Sequence, residues 1–374
     1  MRVVVAPDKF KGSLGAAAVA GSLAAGIRAA APGVVVEEVP VADGGDGTVE
    51  ALTRAGFAPR PVAVEGPLGA AVTVQIARRA EVAVVESAQA AGPAGLDGRS
   101  PEPVRASSYG LGQAIAAALE QGCREVVVGL GGSACTDGGA GMLQALGARL
   151  LDATGADLPR GAGGLPGLAV ADLAPVRARL GGVRLVAACD VTNPLLGGRG
   201  AARVYAPQKG AGPEQVRALE RGLARLAAVL EFGGAPAVAD AAGAGAAGGI
   251  GYALLVLGAE RRSGADLVLD LLGLAGRLAG ADLAVTGEGS LDRQTLHGKA
   301  PLRVAAAAVR AGVPVVAAVG RNALTARQAA RAGFARVYAL SDLEPDPATC
   351  LARAPDLLYR VGTRVAADWA DRPE

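Results

Sequence analysis

The chain has 374 residues, 37 lysines and arginines against 35 acidic residues, and a formal net charge of +2. This balance does not favour a polyanion as main partner, and aromatic residues, at 3%, are too few for the stacking surfaces of single-strand nucleic-acid binders. Without a signal peptide, an apolar run of about 18 residues or a CxxC pair, we expect a cytoplasmic protein that binds neither membrane nor nucleic acid.

Short β-branched runs alternate with Ala- and Leu-rich segments, which is typical of an α/β fold with mostly parallel strands. In chain order, strands are predicted over 2–6, 34–39, 72–77, 82–86, 126–130, 183–188, 283–286, 314–319 and 335–340. Helices are predicted over 13–31, 46–55, 107–121, 213–230, 300–311 and 325–332, with a final helix that runs through Trp369. Residues 72–77 and 82–86 are predicted to pair antiparallel, and the Gly- and Pro-rich stretch 152–182 is predicted to be loop.

Both ends of the chain show the strand–helix rhythm most clearly. The predicted fold class is therefore α/β with two α/β domains. A Rossmann-like domain is expected from both chain ends, residues 1–65 and 281–374, with a second α/β domain inserted over 66–280. The sequence leaves the oligomeric state open between monomer and homodimer.

Only four of the 37 basic residues are lysines, namely Lys9, Lys11, Lys209 and Lys299. In a chain that otherwise uses arginine, lysines are expected where a compact ammonium is needed and a planar guanidinium does not fit. Three of them adjoin a glycine, which lets bare N–H groups and a point charge approach a phosphate. Lys11, Lys209 and Lys299 are therefore predicted phosphate contacts and Lys9 a predicted catalytic residue, with chance surface placement as the alternative.

Two clusters of carboxylates follow predicted strands. Asp43 and Asp46 flank two glycines in VADGGDGT (41–48), and Glu288 and Asp292 lie in TGEGSLDRQTLHGKA (286–300). Mg²⁺ needs one or two protein oxygens and takes the rest from water and phosphate, so these four residues are the predicted metal ligands. The alternative for Asp46 is that it caps the following helix.

A glycine-rich loop follows the strand predicted over 126–130. Its sequence, GLGGSACTDGGAG (129–141), combines glycines that allow backbone amides to approach a phosphate with hydroxyl donors and a carboxylate. The predicted phosphate contacts of ATP in this loop are Gly131, Gly132, Ser133 and Thr136. The alternative is a turn in which Asp137 caps the next helix.

Asp190 follows another predicted strand, in CDVTNPLLG (189–197). A carboxylate at this position can accept a proton from a substrate hydroxyl, so Asp190 is the predicted general base, with a capping Asx turn as the alternative. Asp137 is the second candidate for this catalytic role. His297 is the only histidine, so any Ser/His/Asp or Cys/His mechanism must use it, and it is predicted to be a solvated loop residue.

Seven segments, taken in order, resemble the bacterial class I glycerate kinase family over nearly the whole chain. They are APDKFKGSL, PVADGGDGT, GLGGSACTDGGAGML, CDVTNPLLG, APQKGA, GAAGGIGYAL and TGEGSLDRQTLHGKAP. The resemblance implies phosphorylation of D-glycerate with ATP and Mg²⁺, favouring 2-phosphoglycerate over 3-phosphoglycerate, by a two-domain α/β enzyme with its active site in the cleft between the domains. The alternatives are a kinase for another small hydroxy acid or polyol, and a non-enzymatic nucleotide or sugar-phosphate binding protein.

The chain departs from the family pattern at Ser290, where many members carry arginine. If that arginine binds the substrate carboxylate, Arg293, three residues later, is the candidate to replace it. With Asn193, which follows Asp190, the predicted substrate contacts are Arg293, Ser290 and Asn193.

Overall fold

The computed structural model describes residues 1–96, 98–293 and 295–369, and only the backbone of His297, so the prediction for that side chain lies outside the described residues. The chain forms two compact units. Unit 1 contains Met1–Asp43, Glu50–Ala55 and the described residues from Ala265 onward. Unit 2 contains Gly44–Val49 and Gly56–Gly264.

Strands and helices are numbered in chain order. The strands are β1 (Arg2–Pro7), β2 (Val35–Glu38), β3 (Ala58–Glu65), β4 (Ala71–Arg79), β5 (Val82–Glu86), β6 (Glu125–Gly129), β7 (Arg149–Leu151), β8 (Val170–Asp172), β9 (Arg184–Ala188), β10 (Glu260–Arg262), β11 (Leu283–Gly287), β12 (Ser290–Leu291), β13 (Val315–Val319), β14 (Arg321–Asn322) and β15 (Phe334–Ala339). The helices are α1 (Ala16–Ala30), α2 (Thr48–Arg54), α3 (Ser87–Ala91), α4 (Tyr109–Glu120), α5 (Ala140–Ala145), α6 (Ala174–Arg179), α7 (Ala201–Tyr205), α8 (Pro213–Phe232), α9 (Ile250–Val256), α10 (Gly264–Leu271), α11 (Leu274–Leu278), α12 (Ala300–Arg310), α13 (Ala326–Arg331), α14 (Pro347–Ala352) and α15 (Ala354–Trp369).

Unit 1 is built on a five-stranded parallel sheet with the order β15-β13-β11-β1-β2. The strands β1, β11 and β13 are almost continuous runs of buried Val and Ala, as expected for parallel strands covered on both faces. The chain leaves β1 toward β2 on one side, whereas β11 lies on the other side of β1. Ligands of open α/β sheets bind at such a reversal, beyond the carboxyl ends of the two central strands.

Helices α1 and α15 cover one part of this sheet and pack closely on each other. A Cβ atom on Gly26 would lie 2.0 Å from the carbonyl oxygen of Tyr359, and one on Gly362 would lie 2.3 Å from that of Leu23. The two glycines therefore allow the helix backbones to touch, and larger residues at either position would force the helices apart.

Unit 2 is built on a six-stranded mixed sheet with the order β10-β9-β6-β5-β4-β3. The strands β5, β6, β9 and β10 are parallel, and β3 and β4 continue the sheet antiparallel. The carboxyl ends of the four parallel strands consequently lie along one edge, which carries Glu86, Gly129, Ala188 and Arg262 as the last residues of β5, β6, β9 and β10. Helices α4, α5, α8 and α9 supply much of the large hydrophobic core of this unit.

The predicted fold class, with a parallel-sheet unit from both chain ends and a second α/β unit between them, is confirmed. The domain ranges remain a prediction, as does the active site in a cleft between the domains. In the structure, residues 56–65 group with unit 2 because β3 pairs with β4 along its whole length, and residues 265–280 group with unit 1. Among the described helices, none combines the length and hydrophobicity needed to span a bilayer.

Two local predictions were incomplete or wrong. Strand β3 was not predicted because Pro59 and Pro61 interrupt its sequence, but it is an edge strand, where alternate residues need no donor for the ladder. The stretch 152–182 is not only loop, since it contains β8, which pairs with β7, and the short helix α6. Three-residue strands carry too few residues to reveal a hydrophobic period.

Candidate active site

In unit 1 the first residues beyond the two central strands are both acidic. Pro7 of β1 pairs with Gly287 of β11, and the N–H of Asp8 donates to the carbonyl oxygen of Gly287 at 2.8 Å. Asp8 and Glu288 are therefore neighbours at the carboxyl ends of the strands where the strand order reverses. Gly287 is required for this packing, because a Cβ atom there would lie 1.8 Å from the carbonyl oxygen of Ala318.

The Asp8 carboxyl group has a strongly altered acidity. Burial, followed by the charges of Asp43 and Glu288, raises its pKa to about 7, although the Lys9 N–H, which donates to Asp8 Oδ1 at 2.7 Å, acts in the opposite direction. The charges of Asp43 and Glu288 both act on the Asp8 carboxyl group, and a bound cation would offset them. Such perturbed groups occur mostly at functional sites.

Glu288 is held by a small network on the segment that follows β11. Its exposed fraction is 7%, Thr295 donates a hydrogen bond to Oε1, and the Lys299 ammonium lies 3.6 Å from Oε2. Burial is the main cause that raises the pKa of Glu288, partly offset by Thr295 and Lys299 and reinforced by the charge of Asp292. The structure thus brings together Glu288 and Lys299, a predicted metal ligand and a predicted phosphate contact.

The remaining predicted residues of unit 1 lie around this group. Lys9 is half-buried and Lys11 is exposed, both directly after β1, and Lys299 immediately precedes α12. Among the residues that the structure describes, no group of three or more His, Cys, Asp and Glu side chains has the geometry to hold a metal ion alone. A cation here would need oxygens from a bound phosphate or water, as Mg²⁺ usually does.

In unit 2 the short segment Gly44–Val49 lies on the carboxyl edge of the sheet. Glycines allow the backbone of this segment to come into contact with the end of β6 and the loop that follows it. A Cβ atom on Gly129 would lie 2.3 Å from the carbonyl oxygen of Gly44, and one on Gly131 would lie 2.9 Å from Gly45 Cα. Part of the glycine content that we interpreted as phosphate-binding therefore serves contact between two loops. Gly132 is exposed, has a φ of +69°, and lies beside Ala88, whose Cβ would be 3.1 Å from an added Cβ atom.

A buried carboxylate fixes the same segment. Glu86, at the end of β5, is 4% exposed, and its Oε1 accepts the N–H of Val49 while Gln89 donates to Oε2 at 3.0 Å. This contact anchors the start of α2 and with it the loop that carries Asp46. Asp46 belongs to unit 2 and Asp43 to unit 1, so the two predicted metal ligands of this motif fall in different units.

Lys209 holds the glycine-rich loop that follows β6. Its ammonium donates to Ser133 Oγ at 2.9 Å and to the carbonyl oxygen of Cys135 at 2.5 Å. Desolvation lowers its pKa, which the charges of Cys135 and Asp137 partly oppose. Lys209 and Ser133 are thus engaged with each other. The nearby Thr136 hydroxyl is buried and has no hydrogen-bond partner within the described part of the chain.

Asp137 lies inside unit 2 with an exposed fraction of 0%. Its Oδ2 accepts hydrogen bonds from the N–H and hydroxyl of Ser108, at 2.8 and 2.9 Å, and its carboxylate also accepts the N–H groups of Gly139 and Gly141 at the start of α5. These contacts match the alternative interpretation, in which Asp137 caps a helix. They join the starts of α4 and α5 and leave Asp190 as the stronger candidate for the base.

Asp190 lies directly after β9 and is exposed. Its Oδ1 accepts the N–H of Gly264 at 3.0 Å, which positions the carboxylate at the carboxyl edge of the sheet. Asn193, by contrast, uses its side chain internally, because its amide donates to the carbonyl oxygen of Arg199 at 2.8 Å and its Oδ1 accepts the hydroxyl of Tyr205 at 2.7 Å. The structure therefore gives Asn193 a loop-stabilising contact and leaves its substrate contact a prediction.

The segment after β11 contains the other two predicted substrate contacts. Ser290 is half-buried at the start of β12, and Arg293 is exposed in the turn that follows. A different arginine reaches Ser290, since Arg321 Nη2 lies 3.5 Å from Ser290 Oγ.

Sequence reasoning missed three residues of these sites: Asp8, Glu86 and Arg321. Asp8 lies in the motif APDKFKGSL, where we singled out only the lysines. An acidic residue directly after a buried strand was the signal that applied to Asp190, and it could have identified Asp8 and, at a strand end, Glu86. No local signal marks Arg321.

Comparison with known proteins assigns the chain to a group. The model of the family described as "Glycerate kinase family" matches residues 3–370. A glycerate kinase of Halalkalibacterium halodurans is 42% identical, with 85% of each chain covered, and a glycerate 2-kinase of Escherichia coli K12 is 42% identical over 86% of this chain and 85% of its own. The crystal structure of a putative glycerate kinase 2 from Salmonella typhimurium LT2 matches with a TM-score of 0.85 and 41% identity, covering 98% of both chains.

Proposed function

The chain belongs to the glycerate kinase family, and we propose that it transfers the terminal phosphoryl group of ATP to a hydroxyl group of D-glycerate. It is an enzyme, a kinase that acts on glycerate, and the family implies ATP as the phosphate donor. What the residues of the two units do in this reaction is our proposal.

The observation that carries the proposed chemistry is the group of opposite charges at the carboxyl ends of β1 and β11. The charges of Asp43 and Glu288 act on Asp8, Lys9 interacts with Asp8, and the Lys299 ammonium lies 3.6 Å from the Glu288 carboxylate. Phosphoryl transfer needs cations that neutralise phosphate charge and carboxylates that hold a metal ion, and it depends mainly on positioning and electrostatics. This group supports a role of Lys9 and Lys299 in binding the triphosphate, and Lys11, which follows the same strand as Lys9, is a further candidate.

The same carboxylates fit Mg²⁺. We infer that Asp43 and Glu288 supply ligands, completed by water and phosphate oxygens, because their charges add to the burial that raises the pKa of Asp8 and a divalent cation would offset them. Asp46 and Asp292 are further candidates. When bound, Mg²⁺ would neutralise phosphate charge. Replacing Glu288 by Gln should then raise the Mg²⁺ concentration that gives half-maximal rate, and an unchanged requirement would contradict its role as a ligand.

For proton transfer we propose Asp190. It is exposed at a strand end, and the Gly264 N–H orients its carboxylate. A general base contributes typically a factor of about 10² to 10⁴, so Asp190→Asn should lower kcat by that amount while the KM for ATP changes little. The asparagine Oδ1 can still accept the Gly264 N–H, so the fold should survive. Near-wild-type kcat would show that the base is another group.

The test of the activity itself is a panel of acceptors. Purified enzyme, ATP and Mg²⁺ are incubated with D-glycerate, other small hydroxy acids and polyols, and ADP formation is followed. We expect D-glycerate to give the highest kcat/KM. The name of the Escherichia coli relative, glycerate 2-kinase, favours 2-phosphoglycerate as product, which ³¹P NMR distinguishes from 3-phosphoglycerate.

The alternatives give different results in the same assay. Higher kcat/KM for another hydroxy acid or a polyol would reassign the substrate. ATP binding without ADP formation for any acceptor would indicate a nucleotide-binding protein without catalysis.

A further inference from the structure

Beyond β11 and β13, the chain forms a short parallel ladder, β12 with β14, that fixes the backbone of Arg321. Ser290 pairs with Arg321, the N–H of Arg321 donates to the carbonyl oxygen of Gly289 at 3.0 Å, and the N–H of Gly320 donates to the carbonyl oxygen of Glu288 at 3.1 Å. A Cβ atom on Gly320 would lie 2.4 Å from the Gly289 oxygen, so the two segments are in backbone contact. Arg321 is therefore held beside Ser290, two residues after Glu288.

The ladder also determines which way the side chain points. Paired residues of neighbouring strands share a face, and Leu291, the next residue of β12, is fully buried on the opposite face. Ser290 and Arg321 consequently lie on the outer face, where the guanidinium of Arg321 is 3.5 Å from the small hydroxyl of Ser290.

Within the described residues, no carboxylate forms an ion pair with Arg321. Arg321 is exposed and forms no ion pair within the described residues, whereas Arg303, on the helix α12, pairs with Asp266 at 3.5 Å. The backbone of Arg321 is held in the ladder, close in the chain pairing to Glu288, a candidate metal ligand. An arginine fixed in this way is suited to binding an anionic ligand with its guanidinium.

We propose that Arg321 binds the carboxylate of the acceptor substrate, with Ser290 as a second donor, and thereby selects hydroxy acids over polyols. This inference rests on the proposed function. A planar guanidinium offers two parallel N–H donors that match a carboxylate, and this geometry distinguishes it from the ammonium groups of Lys9, Lys11 and Lys299. Arg321 also lies on the β13 side of β11, whereas Lys9 and Lys11 follow β1 on the other side. The role earlier considered for Arg293 falls to Arg321.

The test compares Arg321→Met and Arg321→Lys with Arg327→Met, a matched change of an exposed arginine on α13. Loss of a charge-assisted, two-point contact should weaken D-glycerate binding roughly ten- to a hundredfold in Arg321→Met, with an intermediate loss in Arg321→Lys. The KM for ATP should not change. Arg327→Met should behave as wild type in every measurement.

Calorimetric titration adds a readout that does not depend on turnover. D-glycerate and D-glyceramide, which carries a neutral amide instead of the carboxylate, are titrated into each variant. Arg321→Met should lose affinity for glycerate but not for glyceramide. Equal losses for both ligands, an increased KM for ATP, or unchanged glycerate affinity would each overturn the proposal, and loss of glycerate affinity in Arg293→Met alone would assign the contact to Arg293.

The proposed function is tested separately by wild-type turnover. If wild type phosphorylates D-glycerate and Arg321→Met keeps its glycerate affinity, the proposed function stands and this inference fails. If wild type phosphorylates no hydroxy acid, the proposed function fails and this inference fails with it.

Discussion

Replacing Lys209 by Met would show whether this lysine binds phosphate or supports the fold. The sequence predicts a phosphate contact, but in the structure the ammonium donates to Ser133 Oγ and to the carbonyl oxygen of Cys135. Methionine keeps most of the length of the side chain and removes both donors. We therefore expect Lys209→Met to lower the stability of unit 2 and to loosen the loop that carries Ser133.

The magnitude follows from two opposing effects. A hydrogen bond from a charged group contributes about 1.5–3 kcal/mol, and two such bonds are lost. Burying an ammonium costs several kcal/mol of desolvation, which also lowers the pKa of Lys209. Methionine avoids this desolvation cost, so it offsets part of the stability lost with the two hydrogen bonds. We expect a net decrease of about 1–3 kcal/mol in the free energy of unfolding, or roughly 2–12 °C in Tm for a unit of this length.

The lowered pKa of Lys209 also determines whether the free energy of unfolding rises or falls with pH. The folded protein binds the Lys209 proton less tightly than the unfolded chain, so charged Lys209 reduces stability below its folded pKa. This cost should disappear as the pH rises toward the ordinary value of 10.5. The stability of wild type relative to Lys209→Met should therefore increase with pH over that window.

Urea denaturation and ATP kinetics together test this reasoning. Arg203→Met, a change of an exposed residue on α7, is the matched control and should have wild-type stability. If Lys209→Met unfolds at the wild-type urea concentration but has a higher KM for ATP, Lys209 is a phosphate contact and the structural reasoning is refuted.

Three further changes probe the remaining contacts. Asp137→Asn should lower the free energy of unfolding by about 3 kcal/mol or more, because an amide cannot accept all the donors that converge on this buried carboxylate; an unchanged urea midpoint would contradict its capping role. Gly287→Ala should lower the free energy of unfolding by about 1–3 kcal/mol, seen as a decrease in Tm, because the added Cβ would lie 1.8 Å from the carbonyl oxygen of Ala318. A wild-type Tm would show that β11 and β13 can move apart at no cost in stability. Lys299→Arg should lower kcat at least about tenfold, equivalent to 1.4 kcal/mol, if the ammonium beside Glu288 binds phosphate, and steady-state kinetics at wild-type rate would exclude this.

The sequence predicted the elements whose signal is local. The strands β1, rich in Val, and β11 are buried on both faces, and α1 and α15 carry a continuous apolar side, so their patterns are clear. The edge strand β3 was missed because prolines usually argue against a strand.

The candidate sites were predictable only where the chemistry follows from one segment. Asp190 and Glu288 each follow a buried strand and could be found in this way. The importance of Asp8 depends on the pairing of Pro7 with Gly287, and the capping role of Asp137 depends on Ser108 in another segment. The strand-end position of Asp8 and a capping role for Asp137 can both be inferred locally, but the distant partners Gly287 and Ser108 cannot be identified from a single sequence.

The strand order of unit 1 has a consequence during synthesis. Its β1 pairs with β2 early in the chain, but its other neighbour, β11, begins only at Leu283. On the ribosome, the uninterrupted stretch Gly56–Gly264 of unit 2 emerges before β11 is made, and domains generally fold as they emerge. Until β11 is made, the edge of the apolar β1 that pairs with β11 stays unpaired. A nascent chain that stops before Leu283 is therefore expected to expose a strand edge that is prone to aggregation and to chaperone binding.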